Sequence, residues 1–345
     1  MHHALRDWQP PADWPALTTI DAHTGGEPLR IVTGGLPEIP GSTMIERRRY
    51  FRTHLDYVRQ VLINEPRGHR EMYGCVVTPP VTPGADFGVL FLHNEGYSTM
   101  CGHGIIAVAT VAVETGLVAA SGRETTLAID TPAGLVRARV SRPPGEPSSV
   151  AFVNVPSFVA VRDATVDVAG VGRVRYDLAF GGGFYAYVEA AALGLQLVPE
   201  EHQRIIDLGM AIKRAVAEAT PPRHPDAGDL GFLYGTIFVG RALTPAAHSR
   251  NVCVFANGQV DRSPTGTGVS GRAAIHHARG ELSPGVPLVI ESLVGSRFEV
   301  RIVERTRVGP HEAVVPEVRG SASITGVHRF VVDPADTLPR GVFLG

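Results

Sequence analysis

The chain has 345 residues, with 32 Lys+Arg against 34 Asp+Glu and a formal net charge of -2. That balance gives no polybasic surface for nucleic acid or an anionic membrane. No window approaches the ~18 apolar residues of a membrane span, and residues 1–15 lack the charged-then-apolar order of a signal peptide. Such a length allows two domains with a large core. The three cysteines, Cys75, Cys101 and Cys253, are too few and too scattered for a disulfide framework, so a soluble, cytoplasmic protein is expected.

Gly (39) and Pro (27) are abundant, which suits many short strands joined by turns. Runs rich in β-branched and apolar residues, bounded by Gly, Pro, Asp or Asn, predict strands at 29–33, 75–78, 88–92, 125–130 and 135–140. Leu55, Val58 and Leu62 fall at helical spacing and predict a helix over 51–62. Residues 105–113 are apolar on every side, which predicts a fully buried helix. The segment 141–149 (SRPPGEPSS) reads as a turn or linker. The same logic then recurs: strands at 150–155 and 185–189, a helix over 200–219, and strands at 236–239 and 252–255. A second buried helix ends near Arg279-Gly280, before strands at 288–292 and 297–303. The expected architecture is α/β (α+β): two similar halves, each wrapping strands around one buried helix. The halves are expected to span 16–155, completed by 321–345, and 156–320.

One loop-to-helix junction occurs twice. Cys101-Gly102-His103-Gly104 runs into the first buried helix, and Thr265-Gly266-Thr267-Gly268 into the second. Helix N-termini carry free N–H groups and the positive end of the macrodipole, so two of them aimed at one place make a carboxylate site. At a helix start the Cys101 thiol is expected to have a lowered pKa; the alternative is a small buried hydrophobe. His103 is open between orienting Cys101, meeting a ligand and local structure. Cys75 and Cys253 lie inside strand-like runs and read as core. Gly266 to Gly271 matches G-x-G-x-x-G, with Glu291 some twenty residues on, but no strand feeds straight into the loop, which argues against a dinucleotide site. Asp261 stands just before the second junction, either to accept from an ammonium group or to close a turn. His23 reads as a pocket or turn residue. The adjacent His276 and His277 point about 100° apart on a helix, which reads as surface rather than metal site.

Three long segments carry a resemblance: Asp21-Ala22-His23-Thr24-Gly25-Gly26-Glu27-Pro28, Met100-Cys101-Gly102-His103-Gly104 and Asp261-Arg262-Ser263-Pro264-Thr265-Gly266-Thr267-Gly268. They resemble the signature segments of the proline racemase family, and the likeness runs nearly the whole chain, through Phe180-Gly181-Gly182-Gly183-Phe184 to Gly326 and Phe330. The resemblance implies a diaminopimelate-epimerase-like fold with two pseudo-symmetric domains and the site between them. It also implies cofactor-free chemistry at the α-carbon of a small imino acid. Carried over, Cys101 matches the first catalytic cysteine. Gly102 and His103 match the carboxylate-holding residues at one helix end, and Gly266 and Thr267 those at the other. Asp261 matches the acid near the ring nitrogen. A homodimer is the expected assembly, although no residue pattern specifies it.

Thr265 departs from the racemases and 4-hydroxyproline epimerases, which carry a second cysteine there; threonine resembles the trans-3-hydroxy-L-proline dehydratases. The stretch Tyr234-Gly235-Thr236-Ile237 also lacks the histidine that 4-hydroxyproline epimerases tend to have. A threonine hydroxyl titrates far above neutral pH and does not exchange an α-proton as a thiol does. The expected activity is dehydration of trans-3-hydroxy-L-proline to Δ1-pyrroline-2-carboxylate, with Cys101 as base and Thr265 on the opposite face. The competing readings are 4-hydroxyproline epimerase or proline racemase activity and, from another class, a non-catalytic imino-acid binding protein.

Overall fold

The computed structural model describes residues 7–226 and 228–343. The chain begins with β1 (Ala16–Thr24), β2 (Glu27–Gly34), α1 (Met44–His54), α2 (Asp56–Ile63), β3 (Gly74–Thr78), β4 (Phe87–His93) and β5 (Gly96–Ser98). Then come α3 (Gly102–Glu114), β6 (Glu124–Thr131), β7 (Gly134–Ser141) and β8 (Ser149–Val153). A second series follows: β9 (Ser157–Val168), β10 (Gly172–Phe180), β11 (Phe184–Glu189), α4 (His202–Ala219), β12 (Leu233–Gly240), β13 (Ser249–Phe255) and β14 (Gln259–Val260). It continues with α5 (Gly266–Ala278), β15 (Leu288–Glu291), β16 (Arg297–Val308), β17 (His311–Gly320) and β18 (Ala322–Val331).

The pairing order repeats. β1–β2 is antiparallel, β2–β3 parallel, β3–β4 and β4–β5 antiparallel, β4–β6 parallel, and β6–β7–β8 antiparallel. Strands β10 to β17 run through the same sequence of parallel and antiparallel partners. The two series join where β8 pairs antiparallel with β17, Val153 opposite Glu317. β9 lies against β10, and β18 returns to lie against β1, from Ala16↔Val331 to Thr24↔Ala322. The repetition extends to buried acids. Asp130 at the end of β6 accepts from the N–H groups of Val81 and Thr82 (2.7 and 2.9 Å). Glu291 at the end of β15 accepts from the Leu243 N–H and the Thr244 hydroxyl (2.7 and 2.9 Å) and pairs with buried Arg250.

Each series wraps its strands around one helix. α3 carries no charge before Glu114 and is buried from Gly102 to Val113, as a helix apolar on every side requires. α5 is buried from Gly266 to Ile275 although it is less apolar, because its small residues let the surrounding strands approach. Both contribute to one continuous core with the inward faces of the strands. Among the described residues no helix is long and apolar enough to cross a membrane.

Two local expectations change. The helix expected over 51–62 is two helices, α1 and α2, broken at Leu55 (φ -122°, ψ 12°). There Asp56 opens α2 with its carboxylate bound by Arg59, Gln60 and the Tyr97 hydroxyl. The segment 141–149 is, as expected, a turn: it joins β7 to β8 as a hairpin, with Ser141 opposite Ser149. Strands β1, β5, β9, β10, β14, β17 and β18 were not anticipated; β9, for example, carries Arg162, Asp163 and Asp167 among its apolar residues, which blurs the strand pattern.

Candidate active site

The two repeated junctions meet. A Cβ placed on Gly102 would lie 2.7 Å from the Gly266 Cα, and one on Gly266 would lie 2.8 Å from the Gly102 Cα. No side chain fits at either position, so the first residues of α3 and α5 abut backbone to backbone. Helix geometry leaves the first-turn N–H groups of both helices without intrahelical partners. Gly102, His103, Gly266 and Thr267 therefore carry two sets of donors to one point, and Cys101 and Thr265, each the N-cap of its helix, flank it.

The two caps differ in more than their reactive atom. Cys101 has ordinary extended geometry (φ -148°, ψ 113°), and its sulfur accepts from the Gly104 N–H at 3.4 Å. Its Sγ lies 3.2 Å from His103 Nδ1. The His103 carbonyl accepts from the Thr24 hydroxyl at 2.8 Å, so the backbone at the head of α3 is tied to the end of β1. Thr265 sits at φ +67°, a left-handed conformation that a β-branched residue rarely adopts, and its side chain makes no cap bond to α5. Instead its hydroxyl donates to Asp261 Oδ2 at 2.8 Å and touches the Cys253 thiol.

Asp261 is buried and closes the turn that leads into α5. Its Oδ1 accepts from the Ser263 N–H (2.7 Å), and the Ser263 hydroxyl in turn accepts from the Thr265 N–H (3.1 Å). Sequence reasoning assigned no role to Glu27, Tyr73, Ser98, Tyr234 or Cys253. Glu27 is 1% exposed; its Oε2 accepts from the Arg262 N–H at 2.9 Å. Burial, with the Asp261 charge beside it, raises the Glu27 pKa well above the ordinary carboxylate value. Glu27 stands in the first signature segment, but nothing local announced that it would be buried beside Asp261. Tyr73, just before β3, has its hydroxyl 2.5 Å from Ser98 Oγ, near the Cys101 thiol.

Burial also reverses the expectation for Cys101. The thiol pKa is pushed up by burial, and the Asp261 and Glu27 carboxylates act in the same direction. The Gly104 N–H and the Tyr73 hydroxyl oppose them without prevailing. Of the remaining candidates, His23 is a turn residue that accepts from the Gly26 N–H at 3.1 Å. His276 is less exposed than expected. Its Nε2 lies 2.8 Å from buried Arg272 and its Nδ1 2.6 Å from Glu281, and burial with the Arg272 charge lowers its pKa to about 4.

The sequence profile of the family described as proline racemase matches residues 19–343. The trans-3-hydroxy-L-proline dehydratase of Bacillus cereus is 49% identical over 328 residues, covering 95% of this chain and 98% of that protein. The 3-hydroxyproline 2-epimerase of Burkholderia multivorans is 46% identical over 326 residues, covering 94% and 97%. A crystal structure of a hydroxyproline epimerase from Agrobacterium vitis with bound trans-4-hydroxy-L-proline superposes with a TM-score of 0.88 at 32% identity, covering 96% of both chains. With its duplicated strand order, its two buried helices and a match over nearly its full length, the chain has the diaminopimelate-epimerase-like fold and belongs to the proline racemase family.

Proposed function

We propose that the protein dehydrates trans-3-hydroxy-L-proline to Δ1-pyrroline-2-carboxylate without a cofactor, using Cys101 as base. The observation that carries this reading is the asymmetry of the two caps: a thiol at the head of α3, and at the head of α5 a hydroxyl whose proton is bonded to Asp261. The 49%-identical relative named as a dehydratase supports it. In this reading the halves are 16–155 with 321–345 and 156–320, and the substrate lies between them.

The N–H groups at the heads of α3 and α5 hold the carboxylate. Asp261 takes the ring ammonium. The Cys101 thiolate removes the α-proton, and negative charge spreads into the carboxylate, where the two helix ends stabilise it; one such donor is typically worth about 3 kcal/mol. In trans-3-hydroxy-L-proline the α-hydrogen and the hydroxyl both lie opposite the carboxylate, on one face of the ring. One-sided chemistry therefore suffices, a syn elimination in which Thr265 closes off the other face. The enamine product tautomerises to the cyclic imine. A raised thiol pKa suits this step: the thiolate is scarcer but a stronger base towards a weakly acidic C–H. The ammonium held by Asp261 brings positive charge that favours it.

The 46%-identical relative named as an epimerase supports a second reading, inversion at C2. Purified protein in D2O with trans-3-hydroxy-L-proline, L-proline and trans-4-hydroxy-L-proline separates the two. Trapping of pyrroline-2-carboxylate from the 3-hydroxy substrate alone establishes dehydration. Deuterated, inverted substrate instead establishes epimerisation, and no turnover of any of the three leaves a binding protein.

A further inference from the structure

Three hydroxyl groups from different segments converge beside Cys101. The Tyr73 hydroxyl lies 2.5 Å from Ser98 Oγ, which lies 3.3 Å from the Tyr234 hydroxyl, and both tyrosine hydroxyls interact electrostatically with the nearby Cys101 sulfur. Tyr73 and Ser98 come from the segments flanking β3 and β4, and Tyr234 comes from β12 in the second series, so the cluster spans the same divide as the two helix heads. The Tyr73 ring is buried and held on two sides, edge-on to His103 (4.9 Å between centroids) and stacked on His93 (5.8 Å).

We propose that Tyr73 is the acid that protonates the departing 3-hydroxyl group, a step that rests on the dehydratase reading above. A thiolate carries no proton until it has taken one from the α-carbon, yet hydroxide is a poor leaving group and needs a proton as its bond to carbon breaks. Tyr73 supplies that proton on the face where Cys101 acts. As Sγ takes the α-hydrogen, the C–H electron pair forms the C2–C3 double bond and the C3–O bond breaks. The leaving oxygen takes the Tyr73 proton and departs as water. The phenolate left behind recovers a proton from the newly formed Cys101 S–H beside it, restoring thiolate and phenol. Substrate becomes enamine plus water, with no other reactant. Burial raises the Tyr73 pKa well above its ordinary value, so the phenol stays protonated and ready to donate throughout the neutral range. Ser98 and Tyr234 are positioning residues that hold the hydroxyl and spread the transient charge.

The test compares two rates for Tyr73→Phe with trans-3-hydroxy-L-proline in D2O: pyrroline formation, and α-deuteration of the remaining substrate with retained configuration. The expected result is a loss of dehydration on the order of 10²–10³-fold while α-deuteration persists, because Cys101 still removes and returns the α-proton. An equal loss of both rates overturns the proposal and makes Tyr73 a support for the thiolate, and undiminished dehydration also overturns it. Ser98→Ala keeps the phenol but removes its 2.5 Å partner. It is expected to slow dehydration roughly tenfold without slowing exchange, and it decides the matter if Tyr73→Phe does not fold. Wild-type protein that forms no pyrroline product overturns the dehydratase reading and the role of Tyr73 together; selective failure of the variants overturns the role of Tyr73 alone.

Discussion

The hydroxyl of Thr265 donates to Asp261 Oδ2 at 2.8 Å, so its one proton points away from the helix whose N-terminus it caps. Its counterpart Cys101 caps α3 through its own sulfur. The left-handed backbone at Thr265 (φ +67°) accounts for the difference: it swings the side chain off the N-terminus of α5 and towards Asp261, at a cost of about 1–3 kcal/mol that the surrounding bonds offset.

Replacing Thr265 with Cys puts an ionisable group on the second face. Thr265→Cys is expected to raise α-deuteration of L-proline or trans-4-hydroxy-L-proline, with inversion, by roughly 10²-fold over the parent. NMR of the recovered amino acid in D2O follows it. If neither exchange nor inversion increases, blockage of the second face by Thr265 is not what limits the reaction.

Gly102→Ala should be among the most damaging small substitutions in the molecule. Its Cβ would meet the Gly266 Cα at 2.7 Å, where only backbone can give way. The expected cost is about 1–3 kcal/mol of stability. The helix heads would also separate, lowering kcat/KM by roughly 10²-fold through misplacement of the donors. Gly228→Ala is the control, since a Cβ there meets nothing within 4 Å. Thermal melts and initial rates check both, and a Gly102→Ala protein with parental values would show that the helix heads can move apart freely.

Acid should destabilise the protein through His93. Burial, reinforced by the Arg59 charge, lowers its pKa to about 4, and its Nδ1 accepts from the Glu95 N–H at 3.3 Å, which requires the neutral ring. An unfolded histidine titrates near pH 6.5. The contribution is therefore complete above about pH 6.5 and lost as pH falls through about 4, up to roughly 3 kcal/mol. Urea unfolding at pH 7.5 and pH 5 should show a smaller loss for His93→Gln than for the parent. Equal losses would assign the acid sensitivity to other groups, such as His276.

Much of the fold was legible where one physical signal dominated. Residues 105–113 are apolar on every side, so they had to be buried, and Gly-x-Gly after Cys101 and after Thr265 marked both helix starts. Strands with continuous apolar runs, such as β4 and β13, were legible for the same reason. The strands with charged residues on one face, including β9, β10 and β18, were not, because their alternation is interrupted and their order comes from partners distant in sequence. The break at Leu55 depends on Tyr97, 41 residues beyond the Asp56 it binds.

Local chemistry also determined which residue types stand at the two helix heads, and with them the contrast between a thiol and a hydroxyl. Only the tertiary structure decided how those groups behave. The thiol pKa rises rather than falls because burial and two carboxylates from other segments, Glu27 and Asp261, outweigh the N-terminal donor. The Thr265 proton is directed by its backbone geometry and by Asp261, and Tyr73 becomes a neighbour of Cys101 only when the strand it precedes folds against β4. Sequence names the ionisable groups; desolvation and charge–charge distances, which set their protonation, exist only once the chain has brought its distant segments together.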